Sequence, residues 1–346
     1  MNKLTKVGCS ALCGSLAVIS AANAGELTIT GGADLTFMSH SGQTTGNPIG
    51  MGSNYTFKGS GELDNGWNFS LSIAEGNQSA WSAAVINLDM GGLGSLNFNH
   101  GDSSNGIQAF DNKMPTAWEE AHGAGLSGGV KTVVGSGKSD NIMYTTPKLL
   151  GTTITLTLAP DYGTADTADK TSATANPDKG RSMDATLNVN PSFGTEFLSG
   201  LNLYAGASEV EHYGNSTFEH NAYEAVAGVT FDIGPVSLGA MRSGSYTGED
   251  SAADYNGYKN KAYGIAFNVN DDFSVSYGKY ETRKASYNDS DVPGGPNDRN
   301  VQVTSWQAAY TMGGASIRVA DVKADNVLFS AGDNQTATIV SLGLAF

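Results

Sequence analysis

Stretch after stretch of this chain alternates apolar side chains with small or polar ones, and a period of two is the signature of a β-strand with two unlike faces. Trp67, Phe69, Leu71 and Ile73 share one face of a segment whose other face is Asn68, Ser70 and Ser72. Ile154, Leu156 and Leu158 alternate with Thr153, Thr155 and Thr157; Tyr263, Ile265, Phe267 and Val269 alternate with Ala262, Gly264, Ala266 and Asn268. Such strands suit a sandwich with its apolar face inward as well as a barrel with its apolar face outward. What joins the strands separates the two.

The connections alternate in length. Tight turns at 64–66, 89–94, 147–151, 232–235, 270–272 and 311–314 take turns with polar loops at roughly 40–50, 102–140, 161–179, 210–219, 247–260, 284–300 and 324–334. Short turns at one end and long loops at the other are the plan of a membrane barrel, whereas a sandwich has no reason to segregate them. With Gln78 as a short second loop and 190–200 as the longest turn, the breaks enclose sixteen strands. An even number places both termini on the turn side, as antiparallel closure requires. The expected fold class is all-β: a transmembrane antiparallel β-barrel of about 16 strands.

Composition agrees. Glycine is abundant at 45 residues, only 15% of the chain is charged, and nothing beyond residue 24 approaches the ~20 apolar residues of a spanning helix. Any crossing is therefore made by strands, whose backbone groups close on one another. Residues 1–24 read differently. Lys3 and Lys6 precede a short apolar stretch from Val7 to Ile19, and Ala22-Asn23-Ala24 supplies small residues before Gly25, the pattern of a cleaved secretory signal. Gly8, Ser10, Gly14 and Ser15 interrupt that stretch, which counts against an anchor; bulky Leu12 before Cys13 counts against a lipoprotein. Residues 25–346 are then one barrel domain. Both cysteines, Cys9 and Cys13, lie in the leader, so no disulfide framework is expected. Losing Lys3 and Lys6 takes the formal charge from -15 to -17, which makes nucleic acid an unsuitable partner.

Catalytic chemistry is not evident. His40, His100, His122, His212 and His220 show no paired-ligand spacing, and without a mature cysteine no thiolate is available. Gly123, Gly125 and Gly128 match a dinucleotide pattern but sit in a glycine-rich loop with no strand or helix in register. No metal, cofactor or enzyme activity is expected; the one residual hydrolase reading rests on His40, His212 and His220 at the loop side.

Four features carry a family resemblance: the opening Leu27-Thr28-Ile29-Thr30-Gly31, the hairpin Leu63-Asp64-Asn65-Gly66-Trp67, the Gly94-Ser95-Leu96-Asn97-Phe98-Asn99-His100-Gly101-Asp102 strand, and terminal Phe346. In order and spacing the chain resembles the general diffusion porins of Gram-negative bacteria, particularly the alphaproteobacterial kind. The resemblance implies an outer-membrane homotrimer of water-filled channels for small hydrophilic solutes and ions, with the long third loop folded into the lumen. By that likeness 102–140 is the constriction loop. It holds Asp102, Asp111, Glu119, Glu120 and Asp140 against Lys113, Lys131 and Lys138, a balance that favours cations. Lys58 and Arg318 have lumen parity and are candidates for the opposing pore wall; Asp34, Glu62, Asp184 and Glu224 share that parity. Arg242 reads as outward or rim-placed, and Arg283 as lying where strand becomes loop.

The last strand carries Thr338, Val340, Leu342, Leu344 and Phe346 on one face. This is similar to the signal by which the barrel-assembly machinery recognises outer-membrane proteins, so Phe346, Leu344 and Leu342 are the expected assembly signal. Trp67, Phe231, Tyr263, Tyr310 and Phe346 are expected in an interfacial girdle at the short-turn ends, against outer-membrane lipid. Small outward residues, Ala205, Ala207, Ala225 and Ala227, are a candidate subunit contact. The alternative function is a non-conducting surface barrel acting as an adhesin or structural protein, which would need a plugged lumen; Gly, Ala, Ser and Thr at inward positions argue against it.

Overall fold

The computed structural model describes residues 25–42, 46–77, 82–163, 179–191, 195, 197–212, 220–248, 257–285 and 300–346. The expected signal segment, Gln78 and part of the 190–200 turn lie outside the described residues. Sixteen strands form one closed antiparallel barrel in which each strand pairs with its sequence neighbours and the first pairs with the last. They are β1 (Leu27–Ser41), β2 (Ile49–Glu62), β3 (Asn68–Gly76), β4 (Ala83–Asp89), β5 (Ser95–His100), β6 (Asn141–Thr145), β7 (Thr152–Ala159) and β8 (Lys179–Val189). The second half is β9 (Leu201–His212), β10 (Ala222–Ile233), β11 (Val236–Tyr246), β12 (Gly257–Asn268), β13 (Phe273–Ala285), β14 (Asn300–Met312), β15 (Ala315–Asp325) and β16 (Gln335–Ala345). The count matches the sixteen read from the sequence.

Closure is made by the two ends of the chain. β1 and β16 run side by side with Leu35 opposite Leu342 and Phe37 opposite Val340. Beyond β16, Phe346 donates its N–H to the Gly31 carbonyl at 2.9 Å, and Gly31 returns a bond to the Phe346 carbonyl at 3.1 Å. Every strand therefore has two neighbours, and no row of unpaired backbone groups faces the membrane.

The faces are those the alternation predicts, with the apolar one outward. Ile265 is 44% exposed and Ile154, Leu156, Phe69, Leu71, Val340 and Leu342 are likewise exposed, while Ala262, Ala266 and Ile339 are buried on the inner side. A large apolar side chain exposed on strand after strand is tolerable only where the surroundings are lipid. The small outward alanines also adjoin: Ala205 pairs with Ala227 and Ala207 with Ala225.

Several strand ends lie a few residues inside the expected loops. β12 begins at Gly257 and β13 runs to Ala285, so Lys259 and Lys284, expected in loops, are strand residues. Their charge gave them a loop-like look, yet backbone pairing continues beyond the point where the outer surface ceases to be apolar. Tyr263 accordingly sits midway along β12, and Phe267 takes its place near the turn. Among outward sites, Ile265→Arg should cost about 2–4 kcal/mol if it lies at the bilayer midplane, while Thr56→Arg, beside the open lumen, should cost little. Urea unfolding from phospholipid vesicles measures both.

Candidate functional site

The connection from β5 to β6 does not extend away from the barrel. Residues 102–140 turn inward and lie along the inner wall from β8 round to β16 and β1. At the neck, Asn99 Nδ2 donates to Asn141 Oδ1 at 2.7 Å, and Asn141 Nδ2 donates to Asn105 Oδ1 at 3.2 Å. Asp102 and Asp140 belong to this neck. Asp102 Oδ1 accepts the Ser104 N–H at 3.0 Å, and Asp140 Oδ1 lies 2.9 Å from His100 Nδ1.

Two wall carboxylates then hold the loop. Asp184 on β8 accepts from the N–H of Ile107 and of Ser136, each at 3.1 Å, and from the hydroxyls of Ser136 at 3.0 Å and Ser208 at 2.7 Å. Glu224 on β10 accepts from the N–H of Val134 at 2.7 Å and Gly135 at 2.6 Å. A buried carboxylate is tolerable only when its lone pairs are met in this way. Gly106 and Gly135 stand against Asp184 at φ of +54° and +55°, where a side chain would be strained and would also collide with the carboxylate. Sequence parity placed Asp184 and Glu224 inside the barrel as extra wall charge; the structure engages both with the loop backbone.

Farther along, the loop crosses a smooth strip of wall. Gly239, Gly264 and Gly278 stand directly opposite one another across β11, β12 and β13. Met114 and Pro115 lie so close that a Cβ on Gly264 would come within 2.8 Å of the Pro115 carbonyl oxygen. Next, Ser276 accepts the Ala117 N–H at 2.8 Å, and Gln307 Oε1 accepts those of Trp118 at 3.1 Å and Glu119 at 3.0 Å. Gln307 Nε2 donates to the Glu119 carbonyl at 2.6 Å, so one amide fixes both sides of that backbone.

The rest of the loop is held by apolar burial. Leu126, Ala124 and Val133 join inward Val301 and Val303 of β14, Val322 of β15 and Ile339 of β16 in one buried cluster. At ~25 cal/mol per Å² of apolar surface removed from water, such a patch stabilises the loop in a channel that would otherwise be wet.

Of the five loop carboxylates named from the sequence, three form a group. Burial pushes the Asp111 carboxyl up to about 6, and the nearby Lys113 charge opposes it only in part. Glu120 is pushed up to about 7 by burial first and then by the like charges of Glu119 and Asp111. Glu119 is raised as well, by burial against the lowering influence of Arg318. His122, half-buried with its ring 4.3 Å from that of Tyr280, is pulled down to about 4 by desolvation and is neutral at pH 7.

The candidate wall cations stand apart from each other. Arg318 on β15 is bonded to Asp34 of β1 and lies 5.2 Å from the Trp118 ring, so it adjoins the loop where the loop meets the wall. Lys58 is exposed on β2, six residues from Gly52, the partner of Asp34, or roughly 20 Å along the strand. Along the bare wall of β1, β2 and β3, reaching Arg318 of β15, lies an open cavity of about 710 Å³ bordered by Asp34, Thr36, Asn54, Thr56 and Arg318. Beneath the first turn of the loop lies another, of about 430 Å³, bordered by Lys113, Lys148, Thr155 and Asn188. Among the described residues no group of three or more His, Cys, Asp or Glu is placed to hold a metal.

Comparison with known proteins gives the same picture. The family described as Gram-negative porin matches over residues 8–314. No curated protein sequence matches. Among solved structures, OmpF of Salmonella typhi, in a complex with daunomycin, is similar at 14% identity and a TM-score of 0.66, covering 94% of this chain and 98% of that one. An anion-selective porin from Comamonas acidovorans is similar at 13% identity and a TM-score of 0.64, covering 92% and 99%. A further refined porin structure is similar at 15% identity and a TM-score of 0.64, covering 93% and 100%. At these identities the likeness is one of fold.

Bonds to a charged acceptor are worth ~1.5–3 kcal/mol each, so a D184A/E224A double variant should lose several kcal/mol of loop attachment while the barrel stays closed. Limited trypsin treatment of the folded protein measures this. Cleavage after Lys131 and Lys138 should be fast in the variant and slow in the parent.

Proposed function

The chain belongs to the Gram-negative porin family, and from that membership we propose that its barrel is a water-filled outer-membrane channel through which small hydrophilic solutes diffuse passively, with cations preferred. The observation that carries the preference is the group formed by Asp111, Glu119 and Glu120 on a loop held inside the lumen. Carboxylates at a narrowing attract counter-charge, and in a partly desolvated passage that attraction is less screened than in bulk water. The fold alone does not set the sign, because a barrel of the same architecture is described as an anion-selective porin. Side chains at the loop must set it here, and Arg318, paired with Asp34, offsets only part of their charge.

The same reading assigns residues 1–24 to a leader removed on export, and Phe346, Leu344 and Leu342 to recognition by the barrel-assembly machinery. Support for the latter is the outward exposure of all three at the seam of the barrel. A homotrimer is the expected assembly, and the landmark strands and hairpin of the sequence support an alphaproteobacterial affinity.

Conductance of the refolded mature protein across a planar bilayer tests this, with a salt gradient to read the reversal potential. Steps in groups of three and a cation-selective potential are expected, and E119Q/E120Q should move that potential towards zero. A potential of anion-selective sign in the parent would overturn the assignment of the loop.

The raised carboxyls set a pH window. Glu120 and Asp111 gain protons as pH falls through about 7 and about 6, so they carry less charge in acid. Cation preference should therefore be greatest at pH 8, decline between pH 7 and pH 6, and be weakest by pH 5. Reversal potentials taken across that range measure it, and E120Q should remove the upper part of the change.

A further inference from the structure

Beneath the first turn of the inward loop, the recess of about 430 Å³ lies apart from the open passage along β1 to β3, and the two share no lining residue. Its place follows from the inward residues of β8, which run Asp184, Thr186 and Asn188 towards the short-turn end. Asp184 binds the N–H groups of Ile107 and Ser136, so the loop is fastened to the wall just above the recess. Lys148 and Gly151, in the turn from β6 to β7, border it below. The recess is therefore covered on the loop side and entered from the short-turn side, which in outer-membrane barrels is the periplasmic one.

Two inward pairs tile its wall: Thr153 stands opposite Asn188, and Thr155 opposite Thr186. Part of the polar lining is spent on the fold. The Thr155 hydroxyl meets that of Thr145 at 3.1 Å, and Asn190 Nδ2 donates to the carbonyls of Ser199 at 3.0 Å and Leu201 at 2.9 Å. Thr153, Thr186 and Asn188 differ, since among the described residues their side chains make no hydrogen bond. Thr186 is only 8% exposed, and a polar group so far withdrawn from bulk water is normally paired. These groups converge on one small space without partners from the protein.

The charged residues of the lining are Lys113 and Lys148, with no Asp or Glu beside them among the described residues. A chain with 34 acidic residues against 19 basic ones would by composition do the reverse, and the open passage does carry Asp34 and Glu75. Lys113 comes from the loop, where Asp111 is its neighbour. Lys148 comes from the turn and has no ion pair among the described residues. Phe110, its ring 4.9 Å from that of Tyr204, gives the recess an apolar back.

We propose that this recess is a binding subsite for a small hydroxylated carboxylate of the sugar-acid class. The lysines supply the charge that a carboxylate needs, while Thr153, Thr186 and Asn188 bond to hydroxyls along the same molecule. A compact inorganic anion leaves the polar tile unused, and a neutral sugar leaves the lysines unused. Lying off the open passage, the subsite retains its ligand without closing the bore. Binding needs no conduction; only the side of the membrane from which the recess is entered rests on the channel reading.

Isothermal titration calorimetry of the folded mature protein in detergent tests this, with gluconate, glucose, acetate and inorganic phosphate as probes. Gluconate should bind, and the other three should each be roughly tenfold weaker or more, because each lacks either the charge or the hydroxyl contacts. K148Q should weaken gluconate about tenfold and leave glucose unchanged, a loss of discrimination that misfolding cannot mimic. T186V and N188A should weaken gluconate and leave acetate unchanged. K323Q, on the outer face of β15, should leave every affinity as it is. Acetate or phosphate bound as tightly as gluconate, undiminished gluconate binding by K148Q, or an equal loss in K323Q would each overturn the subsite. Gluconate binding by a parent protein that does not conduct would leave the subsite standing and remove the channel; conduction without gluconate binding would do the reverse.

Discussion

The lumen of this barrel is shaped by the attachment of one long loop to one half of the inner wall. That attachment uses two kinds of force on different stretches of chain. Where the loop leaves and rejoins the barrel, Asp184 and Glu224 accept its backbone N–H groups. Where it passes β14 to β16, valines and an isoleucine bury it as a globular core would. Directional bonds fix where the ends sit, and non-directional burial holds the middle close. Neither suffices alone: hydrogen bonds in a wet channel compete with water, and an apolar patch sets no register.

Charge in the passage follows from this seating. Gln307 fixes the backbone at Glu119, and burial against the wall raises Glu119, Glu120 and Asp111 together. Arg318 belongs to the same corner, held by Asp34 and lying over Trp118. Positive and negative groups are thus neighbours at the edge of the loop, while the wall of β1 to β3 across the cavity offers mostly Thr, Asn and Gly. Lys58 is far along β2, so a transverse field between loop and facing wall has few cations to sustain it.

Much of the barrel was legible in the sequence because membrane barrels state their faces with large side chains. Ile154, Leu156 and Leu158 leave no doubt about parity, and the alternation of turn lengths orders the strands. Strand ends were less legible. Lys259 and Lys284 look like loop residues because hydropathy records the medium outside, while backbone pairing continues past the membrane surface. The loop contacts were hidden for another reason. Asp184 meets Ser136 across 48 residues and Glu224 meets Val134 across 90, and no local pattern announces a partner so distant. One signal was present: Val301 and Val303 put large apolar side chains on the inner face of β14, which a strand open to water has no reason to do.

Asp184 and Glu224 have a consequence for how charge in such a barrel is counted. Their lone pairs are directed to the loop's own amides, so they are hidden from any ion in transit for as long as the loop is seated. The loop thus acts as a cover over fixed negative charge as well as an obstruction. A barrel with the loop cut away would become wider and at the same time more strongly acidic within, so bore and selectivity cannot be altered independently by shortening it.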